Sequence, residues 1–225
     1  LGLEVLWTRM FAQVLQNSVY TFAMILAVFL ASLALGSVLA HVLCRRGVPP
    51  RPTLQVLLVV AGLLVGLTPV AFVRLNHGLS YLGADLGWGA YLAAVFGMTF
   101  LVLGPPVVTA GSVFPYLMKL SEGSMTSAGR TIGRLASLNT FSAMLGSLAA
   151  GFVLLEWLGL WSSITAGAVV YLALALLVGR RPSSAGGRRL AAAGVASLAA
   201  VLAVPAVASL PLVSLEEGEE LVDLH

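Results

Sequence analysis

The chain has 225 residues, of which 59% are hydrophobic and 9% charged, with a mean hydropathy of +1.01. Soluble domains carry roughly 25% charged residues, so this composition excludes a water-facing globule and calls for a lipid-facing surface. The formal charge of +3 does not imply a nucleic-acid partner, because the basic residues sit in short clusters between apolar runs rather than on one basic face.

A membrane span needs about 20 mainly apolar residues, and taken in order the chain offers a series of them. The first segment, LGLEVLWTRMFAQVL, is short and carries Glu4 and Arg9. The second runs from Ser18 to Leu43, the third from Thr53 to Val73, and the fourth from Gly87 to Ala110. The fifth covers Thr131 to Leu155 and the sixth Leu158 to Val178. A seventh, Leu190 to Leu212, is interrupted by Pro205 and Pro211. The expectation is an all-α polytopic transmembrane bundle over residues 1–212, with about six full spans and a partial first helix, followed by a polar acidic tail over 213–225.

Orientation follows from the arginines. Arg45, Arg46 and Arg51 lie between helices two and three, Lys119, Arg130 and Arg134 between four and five, and Arg180, Arg181, Arg188 and Arg189 between six and seven. Alternate connections thus hold ten of the twelve basic residues, which predicts that these loops are cytoplasmic. The other connections carry Arg74, Asp85 and Glu156, with Trp88 and Trp157 as interfacial aromatics. If the seventh helix crosses, the tail from Glu216 to His225 lies outside the cytoplasm; the alternative is that its prolines keep it from crossing fully.

Small residues mark where helices approach one another. Gly62 and Gly66 form a GxxxG, while Ser142, Gly146 and Ala150 form a stripe on helix five that Ser147 and Gly151 extend. Such stripes favour close packing in lipid. Helix two reads LALGSVLAHVL and helix five AMLGSLAAGFVL, in opposite directions across the membrane. That echo is the pattern of inverted three-helix repeats, the alternative being coincidence among Leu, Ala and Gly.

Candidate chemistry is sparse. Glu4 and Arg9 stand in an apolar run, where a charge faces a cavity or a partner; the alternative is a structural ion pair near a membrane surface. Asn139, with Ser137, Thr140 and Ser142, makes a polar patch on helix five that either lines the bundle centre or serves interhelical hydrogen bonding. His41 stands at the end of helix two, where imidazolium suits the helix dipole. Pro105 and Pro106 in FLVLGPPVVTAG either break helix four, exposing backbone groups for a ligand, or kink it. Beyond them, GSVFPYLMKL reads as an extended turn at Phe114–Pro115 and a short amphipathic piece. No P-loop, HExxH, GxSxG or paired-carboxylate pattern occurs. The single cysteine, Cys44, leaves no disulfide or cysteine metal site within the chain. No catalytic residue, metal or cofactor is expected in this chain. It opens inside an apolar run without a methionine, shows no signal peptide and closes within a polar stretch, and so reads as part of a longer protein.

Three blocks together carry a resemblance: EVLWTRM continuing through SVYTFAMILAVFLASLALGS, then GSVFPYLMKL, then GRLASLNTFSAMLGSLAAGFVLLEWLGL. In this order they resemble the membrane region of bacterial spermidine-synthase-like fusion proteins, from Leu1 to about Leu160, through Glu4, Trp7, Arg9, Gly36, Ser37, Phe114, Pro115, Gly133, Arg134, Asn139, Gly146 and Gly151. The resemblance implies an inner-membrane anchor followed, after His225, by an aminopropyltransferase domain. That domain would bind decarboxylated S-adenosylmethionine and a polyamine, with EEGEELVDLH as its approach. The anchor would hold the enzyme and supply or export polyamine. The same region also resembles half of a major-facilitator transporter, although His41 stands where that family has an aspartate. This implies an alternative role as a half-transporter or transport subunit, and a third reading is a structural membrane subunit of a larger assembly. The expected partners are the lipid bilayer, the synthase-like domain or another membrane protein, and a second copy in a homo-oligomer.

Overall fold

Apolar runs punctuated by arginine, proline and glycine set the helices of this computed structural model, which describes residues 1–15, 19–76, 87–121, 128–179, 192–194, 196–197 and 199. All its elements are helical: α1 (Gly2–Phe11), α2 (Val19–Arg45), α3 (Pro50–Leu75), α4 (Trp88–Ser121), α5 (Ala128–Ala149), a π-helical turn (Ala150–Leu154) and α6 (Leu155–Gly179). Gly47, with φ +62°, supplies the left-handed residue that stops α2. Pro50 then opens α3 at a position where its missing N–H costs nothing.

Four stretches are long and apolar enough to cross a membrane: Val19–Arg45, Pro50–Leu75, Trp88–Met118 and Ile132–Gly179. The last is not one straight rod. Gly159 has φ +73° and ψ 173°, and the Ser163 hydroxyl lies 2.8 Å from the Leu154 carbonyl oxygen. Residues nine apart in a straight helix are separated by roughly 13 Å along its axis, so the chain doubles back at Gly159. This is the boundary expected between helices five and six. The expected seventh helix and acidic tail lie outside the described residues, apart from short helical pieces around Gly194, which lies against Leu176 and Val59.

Helix four departs from the sequence expectation. α4 runs unbroken from Trp88 to Ser121 with Pro105, Pro106 and Pro115 inside it. Of the two readings of Pro105 and Pro106 the continuous helix holds, and the extended turn expected at Phe114–Pro115 does not form. A proline removes one backbone donor, and Pro105, Pro106 and Pro115 free the carbonyls of Leu101, Val102 and Gly111; a continuous helix tolerates these losses inside a protein bundle. Beside them Thr109 donates to the Pro105 carbonyl at 2.8 Å and Ser112 to the Thr109 carbonyl at 2.7 Å.

Packing follows the small residues. α2 and α4 run parallel: Tyr20 meets Trp88 edge-on at 5.3 Å, the Thr21 and Tyr91 hydroxyls are 3.1 Å apart, and Gly36 faces Val108, Gly111 and Ser112. The buried stripe of α2 is Thr21, Ile25, Val28, Phe29, Ser32, Gly36 and Ala40. α3 is central and antiparallel to α6, with Gly62 against Leu172 and Ala168, and Gln55 against Gly179. α1 is parallel to α3, since Trp7 reaches Thr68 and Phe11 packs on Phe72 at 5.0 Å. Its start wedges between the arms that diverge from Gly159, with Gly2 on Gly146 of α5 and Leu3 on Gly167 of α6. Outward-facing side chains such as Tyr20, Leu30, Val38, Leu101 and Val170 are apolar and exposed, as a lipid-facing surface requires.

Candidate functional site

The residues singled out from the sequence are dispersed over three helices. Glu4 and Arg9 are on α1, Glu4 half-buried and Arg9 exposed. Glu4 contributes its backbone carbonyl to the Thr8 hydroxyl at 2.8 Å. Asn139 is on α5 and exposed. Pro105 and Pro106 sit mid-way along α4, the first exposed and the second buried. Among the described residues no ion pair or hydrogen bond joins Glu4, Arg9 and Asn139. His41 is exposed near the end of α2, and Cys44 is half-buried one turn later. Arg45, Arg46, Arg51, Arg130 and Arg134 are all exposed. Given the helix directions they cluster at one end of the bundle, with Arg74, Trp88, Glu156 and Trp157 at the other. Lys119 is in the last turn of α4, while Arg180, Arg181, Arg188 and Arg189 fall outside the described residues. So do His77, His225 and Asp85.

The structure assembles its polar contacts from neutral side chains instead. At Pro69 the Val65 carbonyl has no backbone N–H to accept from. Thr68 donates its hydroxyl to that carbonyl at 2.7 Å and accepts the Trp7 indole N–H at 3.2 Å. This relay ties α1 to α3 in the buried core. At the chain reversal, the buried Ser163 hydroxyl lies 2.8 Å from the Leu154 carbonyl and 2.6 Å from that of Gly159, and shares its proton between them. Ser32 on α2, Gln55 on α3 and Thr99 on α4 are also buried, and Ser32 Oγ, Gln55 Nε2 and Thr99 Oγ1 have no hydrogen-bond partner among the described residues. In a bilayer each is a polar group that only another protein group or an enclosed water can satisfy.

None of these neutral residues stood out in the sequence. A lone Ser, Thr or Gln inside an apolar run has no charge, and only its burial gives it weight. Among the described residues no three His, Cys, Asp or Glu side chains converge. What the arrangement provides is helix-to-helix attachment, with hydroxyls bridging at a proline and at a reversal.

No family model matches the chain, and no solved structure matches it. Over 106 residues it is 34% identical to a polyamine aminopropyltransferase of Corynebacterium efficiens, an alignment covering 40% of this chain and 20% of that protein. The chain is thus a partial homologue that spans about a fifth of the length of the curated relative it matches, and it carries several membrane-length apolar helices.

Proposed function

We propose that this chain is the membrane domain of a spermidine-synthase-like fusion protein, holding an aminopropyltransferase domain at the bacterial cytoplasmic membrane. The observation that carries this reading is the likeness to a polyamine aminopropyltransferase in a chain made of bilayer-length helices. The likeness covers 40% of a chain built mostly of such helices, which supports its reaching into the bundle. The enzyme's active site and its S-adenosyl and polyamine ligands belong to the part of such a protein beyond these residues. The arginine-rich end faces the cytoplasm, in keeping with the excess of positive charge on that side of bacterial membrane proteins. The test is made on the protein purified from its native membrane. Its intact mass should be far above 23.3 kDa, and aminopropyl transfer to putrescine should sediment with the membrane and resist carbonate extraction. A mass near 23.3 kDa, or activity that washes off, overturns the reading.

A second reading, solute transport on a major-facilitator plan, is favoured by one specific observation. The sequence offset that relates Gly36 to Gly146 also relates Ser112 to Gly2, and the packing pairs are Gly36 with Ser112 and Gly146 with Gly2. The same offset relates Gly62 to Leu172, which touch each other across α3 and α6, as a two-fold axis in the membrane plane demands. It also carries Ser32, Gly36 and Ala40 onto Ser142, Gly146 and Ala150. Helices 1–3 and 4–6 then form inverted repeats, an arrangement built for alternating access. In this reading Glu4→Gln or Asn139→Ala abolishes uptake of labelled putrescine or spermidine by proteoliposomes. A pure anchor tolerates both.

A further inference from the structure

The sequence offset that relates the two halves also locates where they differ. Ala40 of α2 and its counterpart Ala150 are buried alike, at 2% and 1% exposure. From there on the two halves are wound differently. Ala40–Cys44 continues the α-helix to Arg45. Its counterpart Ala150–Leu154 is a π-helical turn, in which the Leu155 N–H reaches back to the Ala150 carbonyl. The reversals differ as well. The first half turns at Gly47, φ +62°, and the second at Gly159, φ +73°; Gly159 corresponds to Pro49, so its turn comes two residues later. By Gly62 and Leu172, which touch, the correspondence is restored. The difference is confined to the joint between the second and third helix of each half.

π-helical turns are rare and occur frequently at functional sites. Nothing local enforces this one: Ala150–Leu154 contains no proline, and no atom lies within 4 Å of a Cβ placed at Gly151. On one side of the joint α6 is fixed, with Ile164, Ala168, Leu172 and Ala175 wholly buried. On the other, among the described residues, no side-chain hydrogen bond ties α5 to another helix; Thr140 and Ser147 bond to carbonyls of α5 itself. From this difference between the halves, which rests on the inverted-repeat reading, we propose that Ala150–Leu154 is a hinge whose α-helical form is the one its counterpart Ala40–Cys44 already shows. Rewinding the turn as α-helix rotates α5 about its own axis, relative to α6, by one residue's angle, about 100°. Gly159 and the Ser163 hydroxyl hold the reversal in both forms. Asn139 and Ser142 travel with α5, so the hinge gives the polar side of one repeat two positions, as alternating access requires.

The test uses the full-length protein in liposomes on a Cys44→Ser background, with nitroxides at Phe141→Cys on α5 and Leu177→Cys on α6, both exposed. Labelled protein is diluted with unlabelled protein, so that pulsed dipolar spectroscopy reads distances within one molecule. A turn of about 100° moves a side chain on the helix surface by up to about 8 Å, and two resolved distances are expected. Deleting Phe152, which is 73% exposed, takes the extra residue out of the π turn and should leave one distance. A single distance with the turn intact, or two that survive the deletion, overturns the proposal. Should the shortened chain fail to insert, amide hydrogen exchange on the intact protein decides. Residues 150–155 should exchange several-fold faster than their counterparts 40–45, and equal protection overturns the hinge. The repeat reading fails separately, if cysteine mapping finds α2 and α5 crossing in the same direction.

Discussion

The Trp7 indole N–H donates to the Thr68 hydroxyl at 3.2 Å, and that hydroxyl donates in turn to the carbonyl that Pro69 strips of its backbone partner. One side chain therefore closes a backbone defect in α3 and fixes α1 against it. Thr68→Val keeps the shape and removes both bonds, leaving a buried carbonyl and a buried indole N–H unpaired. The expected loss of unfolding free energy is about 1–3 kcal/mol, read by denaturant titration in detergent micelles. The Trp7→Phe/Thr68→Val cycle isolates the interhelical bond, with a coupling of about 0.6–1.7 kcal/mol expected. On a Pro69→Ala background the backbone donor returns, and Thr68→Val should cost distinctly less. Equal cost on both backgrounds contradicts this account.

Gly36 and Gly97 separate close packing from mere helix propensity. A Cβ at Gly36 would stand 2.6 Å from the Val108 carbonyl oxygen and 3.0 Å from the Ser112 nitrogen, both backbone atoms that cannot step aside. Gly36→Ala should then push α2 from α4 and cost about 1–3 kcal/mol or more. At Gly97 nothing lies within 4 Å. Gly97→Ala should gain up to about 1 kcal/mol from propensity alone. Thermal melts of the two variants in one detergent should move in opposite directions.

Much of this arrangement was legible in the residues, for identifiable reasons. The expected second helix, Ser18–Leu43, and the observed α2, Val19–Arg45, differ little because an apolar run meeting Arg45, Arg46 and Gly47 has only one place to end. The reversal between Leu155 and Leu158 fell at Gly159 for the same reason: Glu156 and Trp157 mark a polar surface there. Phe114–Pro115 misled because rules for the residue before proline weigh a helix against solvated turns. Inside an apolar helix, a solvated turn is no competitor and one lost donor is tolerated. The candidate residues were chosen by charge, which a sequence displays. Thr68 and Ser163 matter through a neighbour 61 residues away (Trp7–Thr68) or across a reversal, which it does not. The stripe of Ser142, Gly146 and Ala150 was visible on helix five. Gly36 on helix two became meaningful only once it was seen against Val108 and Ser112 of α4.

Cys44 offers a direct reading of sidedness. It is the sole cysteine, it is half-buried, and it stands beside Arg45 at the arginine-rich end of α2. If that end is cytoplasmic, a membrane-impermeant maleimide added to intact cells should leave Cys44 unlabelled, and permeabilisation should expose it. A Trp157→Cys variant in a Cys44→Ser background should behave in the opposite way, since Trp157 is 80% exposed at the other end of the bundle. Labelling of Cys44 in intact cells inverts the whole topology.

The reversal at Gly159 depends on a backbone conformation, φ +73° and ψ 173°, that is open almost exclusively to glycine. Gly159→Ala keeps the volume nearly constant and adds only a Cβ, and nothing lies within 4 Å of where that Cβ would go. Its cost is therefore strain rather than collision, of order 1–3 kcal/mol. Ser163→Ala removes the hydroxyl shared by the Leu154 and Gly159 carbonyls and should cost about 1 kcal/mol without altering the turn. The two effects differ in kind. Strain at Gly159 favours straightening of α5 into α6, which would pull the two arms off α1, where Gly2 and Leu3 hold Gly146 and Gly167. A cysteine pair at Gly2 and Gly146 should thus cross-link efficiently in an otherwise unaltered chain and in the Ser163→Ala variant, but poorly in Gly159→Ala. Undiminished cross-linking in Gly159→Ala would show that the wedge of α1, and not the glycine, holds the two arms apart.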